Sequence, residues 1–276
     1  MDYVELNIAL PEAALGEILM AELGELPFES FAEEAGRLKA YIPAVKLAEC
    51  KCEADGVLER YGVQGRYVEI ETRNWNELWE SNFPPVDVEG AVYIRAPFHE
   101  PCGDGRPEVV IMPKMSFGTG HHATTRLMSA AVMRRDLAGR RVLDMGSGTG
   151  VLAILAAMRG AEHVDAVDID EWAAENCAEN IAVNGVAERV EPILGDVSAI
   201  GGRHYDLIVA NINRNILLAD MARYRAAMNR GAELLMSGIL EEDVEAVRQC
   251  AEGLGLRFTG CSTSGGWAEV ETVLDL

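Results

Sequence analysis

Val142-Leu143-Asp144-Met145-Gly146-Ser147-Gly148-Thr149-Gly150 is followed, after one helix's length, by Val164-Asp165-Ala166-Val167-Asp168-Ile169-Asp170. The first stretch reads as an apolar strand that runs into a glycine-rich turn. The second reads as another strand, ending on an acidic side chain at the same sheet edge. Glycines carry no Cβ, so the backbone can turn sharply there and come close to a ligand. Asp168 lies eighteen residues beyond Gly150, which suits a carboxylate that takes a pair of ribose hydroxyls. The pattern describes a nucleotide-type pocket.

The glycine spacing selects among nucleotides. The dinucleotide fingerprint is G-x-G-x-x-G, whereas this chain has G-x-G-x-G with Val at 151. A pyrophosphate also needs several free amides at a helix N-terminus. S-adenosylmethionine has no phosphate and needs only a close turn and the ribose carboxylate. The pattern therefore favours S-adenosylmethionine over a dinucleotide. Asp144 fits that choice, as a carboxylate that organises the loop or reaches the ligand's ammonium group.

From Gly120 onward, helices and strands alternate. Helical periodicity covers 121–137, 151–159, 172–184, 214–228 and 242–254. Strands fit 141–144, 164–168, 190–194, 207–211, 232–237, 256–262 and 268–273, the last two joined by a Ser/Gly-rich turn. This predicts an α/β fold with a seven-stranded doubly wound Rossmann-like sheet, mostly parallel with one antiparallel strand. Its ligand crevice lies at the C-terminal strand ends, where Asp144, Asp168, Asp196 and Asn211 all fall.

Upstream, Tyr3 to Leu10 alternates like a half-buried strand. Pro11 opens a helix to about Leu23, with Ala14, Leu15, Ile18, Leu19 and Leu23 on one face. Strands over 28–31 and 38–42 flank Glu33-Glu34-Ala35-Gly36, then come a helix over 45–60 and a strand over 67–73. That order, strand-helix-strand-strand-helix-strand, predicts a small ferredoxin-like α+β domain. The expected organisation is 1–73 for this domain, 74–118 for a linker with connecting strands near 92–96 and 109–112, and 119–276 for the large domain. Trp75 and Trp79, at helical spacing, are expected to pack at the domain junction, the alternative being contact with a substrate.

Composition narrows the class. The 276 residues are 49% hydrophobic and 25% charged, ordinary for a globular protein. The longest apolar run, Val151 to Met158, is too short for a bilayer, and Met1-Asp2-Tyr3-Val4-Glu5 does not read as a signal peptide. A cytoplasmic protein without membrane contact is expected. The 45 acidic and 24 basic residues give a charge of −21. Such a surface repels nucleic-acid phosphates and attracts a basic partner. The six cysteines are scattered, with Cys50 and Cys52 diverging on a helix. No C-x-x-C or His/Cys cluster appears, so free thiols and no metal are expected.

One further segment resolves the family. Phe117-Gly118-Thr119-Gly120-His121-His122, with Thr124-Thr125 behind it, resembles the signature loop of the bacterial ribosomal-protein methyltransferase family PrmA. The likeness continues through the glycine turn, Asp168-Ile169-Asp170, Glu179-Asn180-Ile181, Asn184-Gly185 and Val209-Ala210-Asn211-Ile212. Upstream, Phe28-Glu29-Ser30-Phe31 and Asn74-Trp75-Asn76-Glu77 are similar too, so nearly the whole chain is covered. The family trimethylates the large-subunit ribosomal protein numbered eleven.

The resemblance implies that the small domain grips the ribosomal protein and the large one holds S-adenosylmethionine. It carries cofactor contacts to Thr125, Gly146, Asp168 and Asn211, with Phe117, Gly118, Thr119, Gly120 and His121 covering the cofactor. Asp196 aligns near a contact to adenine, and Asp144 and Gly148 belong to the glycine turn. The chain departs from many members at Asn213, Ser116 and Ala123. Asn211 is the expected group to orient the target amine, the alternative being a cap for the helix that begins near Arg214. His121 and His122, adjacent at a helix start, are read as capping or loop-stabilising rather than as a base or metal pair. Two rival readings stand beside this one: a methyltransferase acting on RNA or a small molecule, and a non-catalytic ribosome-associated module. Nothing in the sequence demands a dimer, so a monomer is expected.

Overall fold

Alternation from Tyr3 to Ala9 buries Val4, Leu6 and Ile8 and leaves the residues between them half-exposed, so β1 (Tyr3–Ala9) has one wet face. It is one of two inner strands of its sheet. A computed structural model describes residues 3–11, 14–34, 36–70, 83–114 and 116–275 of the chain. The chain divides into two compact units, Met1–Phe83 and Pro84–Leu276.

In the first unit, β1 is followed by α1 (Ala14–Gly24), β2 (Ser30–Glu34), β3 (Arg37–Pro43), α2 (Ala44–Arg60) and β4 (Gly65–Ile70). The sheet order is β2-β3-β1-β4, antiparallel throughout. This is the ferredoxin-like arrangement the element order predicts. Leu19 and Leu23 of α1 and Ala54, Val57 and Leu58 of α2 close over Leu6, Ile8, Leu38 and Ile42. Two local expectations differ. Ile18 points outward at 45% exposure, so the apolar stripe of α1 is narrower than its sequence suggests. β2 starts at Ser30 rather than Phe28, because the Phe28 side chain is part of the core ahead of the strand. Trp75 and Trp79 lie outside the described residues.

The second unit opens with three short strands, β5 (Val86–Val88), β6 (Val92–Arg95) and β7 (Glu108–Val110). They form their own sheet, in the order β5-β6-β7. Val88, Val92, Ile94, Val109 and Ile111 join the large core, so the stretch read as a linker folds with the second unit from Pro84 onward. The main elements follow: α3 (Ala123–Met133), β8 (Arg141–Met145), α4 (Val151–Met158), β9 (His163–Asp168), α5 (Glu171–Val183) and β10 (Val190–Leu194). A short 3-10 turn (Val197–Ile200) leads to β11 (Tyr205–Asn211), α6 (Arg214–Ala226), β12 (Met228–Leu240), α7 (Val244–Gly253), β13 (Leu256–Ser264) and β14 (Trp267–Leu274).

The seven-stranded sheet has the order β10-β9-β8-β11-β12-β14-β13. Only β14 runs antiparallel to the rest, as an insertion between β12 and β13. Helices α3, α4 and α5 bury Met128, Leu152, Leu155 and Ile181 on one face; α6 and α7 bury Leu217, Met221, Tyr224 and Val247 on the other. The order turns back between β8 and β11, and that switch point opens a crevice at the strands' carboxyl ends. Among the described residues, no helix is long and apolar enough to cross a membrane.

Candidate functional site

The glycine turn is shaped by steric limits at two positions. Gly146 and Gly148 both have positive φ, 73° and 54°. A Cβ on Gly146 would strike the Ile212 side chain, and one on Gly148 would strike the Phe117 carbonyl oxygen. No other residue fits either place. The turn is tied to Asp168, whose Oδ2 accepts from the Gly148 amide at 2.8 Å while Oδ1 accepts from the Asp170 amide at 3.0 Å. Asp170 then caps α5, accepting from the Trp172 and Ala173 amides.

The segment Phe117 to His122 is strapped onto this turn. The Thr149 amide donates to the Phe117 carbonyl at 2.9 Å, and the Thr149 hydroxyl to the Gly118 carbonyl at 2.8 Å. His122 caps α3 through Nδ1, and its ring lies against Phe117 and Trp267. His121 Nε2 is 2.8 Å from the Pro84 carbonyl and Nδ1 is 3.1 Å from the Thr119 hydroxyl. Both histidines hold the loop.

Asparagines on α5 complete the strap. Buried Asn180 accepts from the Met112 amide at 2.8 Å and donates to the Thr149 carbonyl at 2.9 Å, so one side chain joins the approach to the loop with the glycine turn. Asn184 makes a matched pair of bonds to the Val110 amide and carbonyl. The sequence contained both residues among its family-like segments, but only packing reveals their task.

A cleft of about 1120 Å³ lies along the carboxyl edge. Gly146, Gly148, Asp168, Asp196, Asn211 and Phe117 all line it. Gly118, Thr119, Gly120, Thr125 and Asp144 do not: they sit in or beneath the wall. Asp144 is 1% exposed and accepts from the Ala153 amide at 3.0 Å, fixing the start of α4. Burial raises its pKa to about 7. Asp196 caps the 3-10 turn, and the Ser198 hydroxyl and amide that donate to it hold its carboxyl below the usual range.

Asn211 ends β11, opposite Ser237 on β12. It does not cap α6; Asn213 does, accepting from the Ile216 amide at 3.1 Å. The Asn211 Oδ1 is buried and unpartnered, as are Thr125 Oγ1 and the second oxygen of Asp144. Buried polar atoms are seldom left without a partner, and of these three residues only Asn211 lines the cleft, so its oxygen is the one placed to meet a polar guest.

The sequence reading missed much of the lining. Lys114, Ile169, Trp172, Glu175, Ile216 and Asp220 also face the cleft. Five carboxylates line it, those of Asp168, Asp170, Glu175, Asp196 and Asp220. Lys114, the one lysine or arginine of the lining among the described residues, is bridged to Glu179. The cleft is acidic and suits a cationic occupant. Elsewhere, His163, Asp165 and Glu191 place ligand atoms within 4.8 Å of one another. There Arg203 stands 2.6 Å from Asp165 and 3.7 Å from Glu191, so a guanidinium already supplies the positive charge.

A doubly wound sheet with this strand order, a glycine cradle and a facing carboxylate are the features of an S-adenosylmethionine-dependent methyltransferase. Comparison with known proteins agrees. Residues 19–274 match the family model described as "Ribosomal protein L11 methyltransferase (PrmA)". A ribosomal protein L11 methyltransferase of Porphyromonas gingivalis is 42% identical over 94% of this chain and 91% of its own. That of Phocaeicola vulgatus is 39% identical over 99% and 100%. The crystal structure of a ribosomal protein L11 methylase from Lactobacillus delbrueckii subsp. bulgaricus superposes with TM-score 0.63 at 24% identity, over 70% of this chain and 99% of that one. The chain belongs to the ribosomal protein L11 methyltransferase family.

Proposed function

We propose that this chain transfers methyl groups from S-adenosylmethionine to amino groups of ribosomal protein L11, on lysine side chains, the N-terminus or both. The observation that carries the reading is the acidic cleft, with its glycine cradle at one wall and the unpartnered Asn211 oxygen at the floor. When bound, S-adenosylmethionine supplies a methyl group on a sulfonium that a neutral amine can displace. Gly146 and Gly148 admit it by leaving room, Asp168 takes the ribose hydroxyls, and Asp196 stands toward the adenine. Phe117 covers the opening. Thr125, behind the wall, and Gly118, Thr119 and Gly120, in the strapped loop, act by holding that cover.

The remaining residues treat the guest. A lysine ammonium has no lone pair, and holding it neutral at pH 7 costs roughly 4.6 kcal/mol from a reference pKa of about 10.4. The carboxylates draw the cation in, and the apolar floor of Met145, Val167 and Ile212 strips its water. Asn211 Oδ1, with the Ile212 carbonyl beside it, accepts the amine's N–H bonds and turns its lone pair toward the methyl. Positioning of this kind is the main work in an in-line displacement. An RNA substrate fits poorly with a charge of −21. A monomer is compatible with this reading, and the cytoplasm is where a ribosomal-protein substrate is met.

The test mixes the full chain with methyl-labelled S-adenosylmethionine and unmethylated ribosomal proteins, followed by mass spectrometry. Label is expected on amines of L11. Label in ribosomal RNA, or on no protein, would overturn the reading.

A further inference from the structure

We propose that the Tyr224 hydroxyl reads the adenine edge of the donor and so sets the nucleobase specificity of the site. The inference rests on the S-adenosylmethionine reading above and adds a recognition residue to it. Ile216, Asp220 and Tyr224 follow one another at four-residue intervals on α6, so they form one stripe, and all three line the cleft. Tyr224 is the innermost. Its residue exposure is 0%, its ring packs with Met221, Val197 and Ile200, and its hydroxyl has no partner in the protein. A buried phenol usually satisfies its hydroxyl, because leaving it unpaired costs about 1–3 kcal/mol. Tyr224 is among the residues that line the cleft, so a molecule bound there can supply the partner.

The neighbouring stretch explains why the ligand would need this group. Gly195, Asp196 and Val197 also line the cleft, and Val197, at the start of the 3-10 turn, belongs to the same core cluster as Tyr224. Asp196 is the obvious polar residue there, yet its Oδ1 already accepts from both the amide and the hydroxyl of Ser198. That leaves the carboxylate half committed to its own turn. Tyr224 therefore offers the uncommitted hydroxyl of this end of the cleft, with a donor and acceptor capacity that matches adenine's ring nitrogens and exocyclic amine. Burial, reinforced by Asp220, pushes the phenol's pKa upward, so it remains an O–H donor at neutral pH. A site built around a hydrogen bond discriminates far more sharply than one built on shape alone.

The experiment is calorimetric titration of the full-length wild type and Tyr224→Phe with S-adenosylhomocysteine and with S-inosylhomocysteine. The second ligand replaces the exocyclic amine by a carbonyl and turns one ring acceptor into a donor. Phenylalanine keeps the ring and its packing, and thermal unfolding of both proteins checks the fold. Wild type is expected to favour the adenine ligand. The variant should bind it about ten-fold more weakly, the common worth of one buried hydrogen bond, with a smaller loss for the inosine ligand. Unchanged affinity, or an equal loss for both ligands, would overturn the role of Tyr224 alone. Binding of neither ligand by the wild type would overturn the cofactor reading and this inference with it.

Discussion

On the proposed reading, substrate geometry turns on Asn211. The backbone amide of Ile212, next in the chain, donates to the Ser237 carbonyl at 3.2 Å, which pins the strand end and fixes where the Asn211 side chain stands. Its Oδ1 accepts no bond within the protein, although it is buried. Removing that acceptor should therefore cost little in folding and much in transfer. For Asn211→Ala we expect kcat to fall at least about ten-fold, because a hydrogen bond to a charged or developing-charge group contributes roughly 1.5–3 kcal/mol. Affinity for S-adenosylhomocysteine should fall less. Wild-type turnover in single-turnover kinetics would retire the assignment. The sequence pointed to Asn211 but left a helix cap as its alternative. Only the observed cap at Asn213, two residues later, separates the two.

At the scale of elements, β14 carries an unusual load. It pairs with β12 on one side and β13 on the other, and it passes the irregularity at Ser237 and Gly238. Alternation puts Glu269 and Glu271 on the face toward α3. Glu271 meets Arg134 at 3.2 Å and Arg135 at 2.7 Å, whereas Glu269 is fully buried beside it. Burial, and then the neighbouring Glu271, raise the Glu269 pKa to about 8 against the opposing pull of Arg135 and Arg134. The sign follows from linkage: the folded state keeps a proton that the unfolded state has released above about pH 4.5. Stability is thus fully present below about pH 4.5 and is lost as pH rises toward 8. Glu269→Gln should match the wild type near pH 5 and exceed it at pH 8.5 by on the order of 2–4 kcal/mol, read by urea unfolding at both pH values. A difference independent of pH would refute the buried-acid account. Elements of this kind were readable in outline from the sequence, since periodicity gave β14 and the hairpin before it. It could not give β5, whose three residues are too few for a pattern, or the full length of β12, which starts at Met228 where helical spacing seemed to continue. The strap by Asn180 and Asn184 was equally invisible, because it joins positions more than sixty residues apart.

Across the whole molecule, the chain falls into two separately folded parts. Met1–Phe83 and Pro84–Leu276 each enclose a hydrophobic core of their own. The first has a sheet whose outer face carries Glu5, Asn7, Arg37 and Tyr41 in mutual hydrogen bonds. Among the described residues, those that line the cleft belong to the second unit. If the small unit serves to hold the protein substrate, it supplies effective concentration rather than chemistry. A chain trimmed to 84–276 should then fold, since its core is complete, and bind S-adenosylhomocysteine within about three-fold of the full chain. Transfer to L11 should drop by about a hundred-fold or more, because a tethered guest loses that much when its anchor is removed. The loss should appear in KM, with kcat at saturating substrate largely kept. Equal transfer by the trimmed and full chains would show that the cleft alone selects its protein, and the recognition role assigned to the first unit would fall.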